Sequence, residues 1–194
     1  MLTKLRSLLI FSVLLAGPAA ADLVIDVEGV AQPTPVAVVP FGWEGQGRAM
    51  PLNVATVITA DLRRSGRFAP IAEDKMLQKP TDGVDVDFQD WSFVGVEAVV
   101  VGKLVQTDND RFTLQFQLFD VFGQRQLVGF RMPNVTRATM RGAAHRAADM
   151  IYEKLTGIKG VFGTRVAYVT AKQQGDGRLY SLIVSDQDGF NEHT

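Results

Sequence analysis

Few residues in this chain are able to do chemistry. Its 194 residues include no cysteine and two histidines, His145 and His193. Thiol catalysis, Cys-ligated zinc, disulfide frameworks and cysteine lipid anchors are therefore excluded. Nucleophilic serine catalysis needs a Ser, a His and an acid within mutual reach, often signposted by G-x-S-x-G, and that motif does not occur. His145 is the one histidine inside the region expected to fold. On a helical wheel it neighbours Arg141, Arg146 and Asp149, which predicts a partly exposed helix residue. The reading assigns no catalytic residue, no metal ligand and no cofactor.

Three other runs invite a chemical reading. Gly42-Trp43-Glu44-Gly45-Gln46-Gly47 lies between a predicted strand and a predicted helix, where phosphates are cradled. Its G-x-x-G-x-G order is wrong, Glu44 repels phosphate and no G-K-[ST] follows, so a flexible connector is expected. Asp108-Asn109-Asp110 and Asp186-Gln187-Asp188-Gly189 resemble pieces of calcium loops but lack the distal Glu. Asx side chains bonding to their own backbone make them turns. Phe112, Phe116, Phe119 and Phe122 have few basic neighbours to track a nucleic-acid backbone, and the first two are expected in the core.

The elements that must position these residues can be read from periodicity. With 46% hydrophobic and 21% charged residues the chain can bury a core, and 20 basic against 21 acidic residues give no electrostatic case for nucleic acid. Residues 1–21 read as a secretory signal: Lys4 and Arg6, an apolar run from Leu8, the Gly17-Pro18 breaker, and Ala19-Ala20-Ala21, with cleavage between Ala21 and Asp22. The apolar run is about half of the ~20 residues a membrane span needs. An exported chain without cysteine suits the periplasm.

Within residues 22–34, Asp22 to Gln32 alternates Leu23, Ile25 and Val27 against Val24, Asp26 and Glu28, and Pro33 and then Pro35 interrupt. That pattern fits either a strand-capable tail on a proline hinge or an edge strand of the domain. Val36 to Val39 reads as a strand buried on both faces, a helix follows that Asn53 or Pro51 opens and Gly66 ends, Phe68 to Ile71 reads as a strand and Phe88 to Phe93 as a short helix. Val96 to Val105 reads as a central strand covered on both sides, and Arg111 to Phe119 with Gln126 to Met132 as a hairpin with one wet face. Met140, Ala144, Ala147, Ile151 and Leu155 mark a long helix ending at Gly157. The order predicts an α/β domain over 35–160, a mixed sheet with packed helices. Residues 161–194 then read as two strands, Arg165 to Thr170 and Leu179 to Ser185, opening an incomplete β-domain.

Pro35-Val36-Ala37-Val38-Val39-Pro40-Phe41, Ala60-Asp61-Leu62-Arg63-Arg64-Ser65-Gly66-Arg67-Phe68 and Trp91-Ser92 to Gly102 resemble the amino-terminal domain of the TolB family of periplasmic proteins. So does the junction Glu153-Lys154-Leu155-Thr156-Gly157-Ile158-Lys159-Gly160 with Thr164 to Val169, and Ser185 to Asn191 resembles the family's first propeller repeat. The resemblance implies an α/β domain followed by the first strands of a six-bladed β-propeller. It implies a non-enzymatic component of the Tol-Pal envelope-integrity and cell-division system. Its propeller would contact Pal, and its mature tail, here Asp22, Leu23, Val24, Ile25, Asp26, Val27 and Glu28, would bind TolA. The alternation over 22–28 suits strand addition. Two alternatives stand beside this: a fragment of a propeller-bearing serine peptidase, which would need a hydrolase domain, and a small-ligand binder using the Gly42 to Gly47 loop.

Overall fold

Val36 to Val39 is apolar at every position, and the computed structural model, which describes residues 32–194, supplies the reason. Strand β1 (Thr34–Val38) lies between β3 (Phe68–Pro70) and β4 (Ala98–Asp108), parallel to both. Val36 and Val38 enter one core, while Ala37 and Val39 enter a second core on the opposite side. β4 then pairs antiparallel with β5 (Arg111–Asp120), and β5 with β6 (Arg125–Val135), so the sheet is mixed in the order β3-β1-β4-β5-β6.

Among the described residues, three α-helices cover it. The side chain of Asn53 accepts the Thr56 N–H at 3.1 Å and starts α1 (Val54–Arg64), and Gly66 at φ +69° turns the chain out. Helix α2 (Phe88–Val94) is capped by Asp87 and ended by Gly95, and α3 (Met140–Thr156) is ended by Gly157 at φ +73°. Helices α1 and α3 pack with Phe112, Leu114, Phe116 and Leu118 of β5 in the larger core. Trp91 of α2 packs with Val99, Val101 and Phe119 on the other side. β4 is thus covered on both faces, as its run of valines predicts. Val96, at the start of the predicted run, precedes β4 and packs on the α2 side.

Gly102 marks a required close approach. A Cβ there would lie 2.5 Å from the Gln115 carbonyl oxygen and 2.6 Å from the Phe41 ring.

Two expectations need correction. The Gly42–Gly47 segment is not merely a flexible connector: Gly42–Glu44 forms β2, parallel to β4 at Lys103–Val105. Beyond the end of β1, the exposed edge of β4 is taken up by β2; Lys103 reaches Glu44 at 3.0 Å, and the Trp43 ring lies 6.1 Å from that of Phe112. Pro35 is part of β1 rather than a hinge, and its carbonyl accepts the Glu97 N–H at 2.9 Å. A proline near a strand's start forfeits little of the ladder.

The last two strands, β7 (Arg165–Gln174) and β8 (Gly177–Asp186), run longer than the sequence suggests and, among the described residues, pair only with each other, apart from a bridge between Val184 and His193. Val166, Val169, Leu179 and Leu182 remain exposed on them.

Candidate functional site: a buried ion-pair cluster

Helix α1 carries Val54, Val57, Ile58 and Leu62 on its buried side, and Asp61 sits in the same stripe with no exposed surface. Helix α3 does likewise with His145, 1% exposed, among Met140, Ala144, Ala148 and Ile151. An ionisable or polar group so buried is costly without hydrogen bonds, so each must have partners. The two helices pack together and supply them: His145 Nδ1 donates to Asp61 Oδ2 at 2.6 Å. The other oxygen, Asp61 Oδ1, accepts from Arg64 at 3.2 Å and from Gln187 Nε2 at 3.1 Å.

Gln187 belongs to the turn after β8, and its neighbour Asp188 completes the arrangement. Arg141 Nε donates to Asp188 Oδ2 at 3.0 Å, and Arg141 Nη2 donates to the same oxygen. His145 Nε2 lies 3.4 Å from that oxygen without hydrogen-bond geometry. Burial alone pushes the Asp188 carboxyl up. The Arg141 hydrogen bonds, the nearby His145 charge and the Phe190 N–H outweigh it and hold the carboxyl below the usual aspartate value. The Arg141 guanidinium also stacks 3.4 Å above the Phe190 ring.

A second clamp holds the linker. Asp149 of α3 accepts the Phe162 N–H at 2.6 Å and the Gly163 N–H at 3.1 Å, with Gly160 passing too close to Asp149 for a side chain. Phe162 is buried against Tyr152, ring centroids 5.6 Å apart. The hairpin is thereby fixed to α1 and α3 by charges and backbone bonds, while its own faces stay exposed.

This corrects the reading of His145 as a partly exposed helix residue. The helical wheel gives its neighbours on α3 but not Asp61, 84 residues away. Asp186-Gln187-Asp188-Gly189 is a turn as expected, yet two of its side chains point into the helices. One signal was available: Asp61 and His145 each interrupt an apolar helical stripe, the pattern of a buried pair. Asp108 accepts the Asn109 N–H in its own turn, as expected. Phe112 and Phe116 are in the core, and Phe122 is exposed. Residues 22–28 and the Ala21/Asp22 junction lie outside the described residues.

Chemically, the cluster binds its own chain. The Asp61–His145 pair has the form of a catalytic dyad, but the free imidazole nitrogen faces a carboxylate where a nucleophile would be. Ligand atoms of His145, Asp186 and Asp188 lie within 4.8 Å of one another. A cation there would compete with the Arg141 guanidinium already bonded to Asp188, and Asp186 already accepts from Asn191 at 2.6 Å.

The structure defines a mixed α/β sandwich to which buried polar side chains join a β-hairpin. Residues 23–127 match the TolB amino-terminal domain. The chain belongs to that family. Over 98% of its length it is 46% identical to the Tol-Pal system protein TolB of Thioalkalivibrio sulfidiphilus, covering 44% of that protein. Over 90% it is 46% identical to the protein of the same name from Nitrosococcus oceani, covering 40% of it. The crystal structure of TolB from Acinetobacter baumannii superposes with a TM-score of 0.71 at 33% identity, over 84% of this chain and 38% of that one. The chain thus spans less than half the length of these relatives.

Proposed function

We propose that the protein is a non-enzymatic periplasmic component of the Tol-Pal envelope system. It is exported by residues 1–21, and its tail, Asp22 to Glu28, binds TolA by adding a strand to a sheet edge. β7 and β8 are the first strands of a six-bladed β-propeller that contacts Pal in a longer chain. The observation that carries this reading is the hairpin: it is locked to α1 and α3 through Asp188 and Gln187 while Val166, Val169, Leu179 and Leu182 are left exposed, as suits strands on which further ones pack. None of the described residues forms a helix long and apolar enough to cross a membrane.

Strand addition predicts a particular mutational order. Ile25→Pro deletes a ladder donor as well as a side chain and weakens TolA binding more than Ile25→Ala. Deleting residues 22–32 abolishes TolA binding in calorimetry and leaves the melting temperature nearly unchanged. Undiminished binding by the deletion variant refutes the tail assignment.

A further inference from the structure

Away from the hairpin, α2 and the turn joining β5 to β6 border an open groove of mixed polar and apolar lining. It consists of two adjoining hollows of about 390 and 410 Å³ that share Phe88, Gln89 and Gln124. Phe88 is anchored edge-on to Phe119, ring centroids 6.0 Å apart, and forms part of the walls. Three apolar side chains at its lips face solvent: Val84 is 89% exposed, Phe93 86% and Phe122 64%. Scattered exposed apolar residues are ordinary, but several lining one groove mark an interaction surface.

The unpaired charge around it is acidic. Between Lys79 and Lys103 the chain carries Asp82, Asp85, Asp87, Asp90 and Glu97 and no Lys or Arg. Lys103 is taken up by Glu44 at 3.0 Å and Asp82 at 3.8 Å, and Arg125, beside the groove, pairs with Asp120 at 3.3 Å. Among the described residues Asp85 and Asp90 form no ion pair.

We propose that this groove docks a basic amphipathic peptide segment of a partner protein. Apolar side chains of the segment enter the two hollows, and flanking Lys or Arg residues face Asp85, Asp87 and Asp90. The acidic rim disfavours nucleic acid and anionic lipid, and a second copy of the same face would bring like charges together. A cationic segment with apolar anchors satisfies both the groove and its rim.

The test uses the mature chain and a nine-residue probe peptide alternating Lys and Leu, with a Glu–Leu peptide as control. Calorimetry and amide chemical-shift mapping should show the Lys–Leu probe binding, with shifts confined to residues 84–93 and 121–124. Phe93→Ser with Phe122→Ser should abolish binding. Asp85→Asn with Asp90→Asn should weaken it by about tenfold and flatten its salt dependence. These side chains are exposed, so unchanged melting temperatures confirm that the variants fold. Absence of binding, equal binding of the Glu–Leu peptide, shifts centred elsewhere, or indifference to the phenylalanine changes overturns the proposal. So does self-association of the unliganded chain that the same phenylalanine changes abolish, which assigns the groove to a second copy.

Discussion

Replacing Asp188 by Asn isolates the hairpin's attachment from the stability of the α/β sandwich. The substitution keeps the shape and one carbonyl oxygen but removes the negative charge that receives two Arg141 donors and faces His145 Nε2. Hydrogen bonds to charged groups contribute about 1.5–3 kcal/mol and neutral ones about 0.5–1.5. The Arg141 side chain is 18% exposed, so water relieves part of the loss. The expected cost is about 2 kcal/mol, or about 30-fold in the docking equilibrium. Hydrogen exchange at the Asp186 and Gln187 amides, which bond to the Phe190 and Thr164 carbonyls, should quicken by that factor. Amides of β4 and β5 should keep their protection, because Asp188 lies in a turn outside the larger core. His145→Ala should behave differently, leaving the fully buried Asp61 short of its closest partner and costing about 3–5 kcal/mol across the whole domain. The pH dependence follows from sign. The folded-state carboxyl of Asp188 lies below its ordinary value, so its contribution is fully present above about pH 4 and is lost as pH falls through the depressed value. Acid should therefore loosen the hairpin more in the native chain than in the Asp188→Asn variant, which keeps the Asp61 and Asp149 contacts but lacks the Asp188 carboxylate. Equal exchange at Gln187 in both proteins, or a loss of β4 and β5 protection in Asp188→Asn matching that in His145→Ala, refutes this division of labour between Asp188 and His145.

Other consequences follow from packing. Gly102→Ala forces β4 away from the Gln115 carbonyl and the Phe41 ring, and should lower stability by about 1–3 kcal/mol in denaturant unfolding without changing the exchange order of the hairpin. Ending the chain after Gly160 removes Phe162 alone from the larger core, so the remainder should still unfold in one cooperative thermal transition, checked by calorimetry. The truncation also removes Gln187 and Asp188 from the Asp61–His145 pair, and should lower the melting temperature by several degrees rather than abolish folding.

Local pattern determined most of the α/β sandwich. β1 and β4 are apolar on both faces because helices cover both sides of the sheet, and β5 alternates because α1 and α3 pack on the face of Phe112, Leu114, Phe116 and Leu118. Asn53, Gly95 and Gly157 bound their helices through capping chemistry confined to a few residues. Such features are legible because their causes lie within one turn or one pleat. Tertiary structure alone decided the rest. β2 has three residues, one of them glycine, and exists because the edge of β4 beyond β1 offers it backbone partners. The burial of His145 rests on Asp61, 84 residues distant, and Arg141 finds Asp188 47 residues away. A buried charge is tolerable only when its counter-charges converge on it, and that convergence is a property of how α1, α3 and the hairpin meet in space.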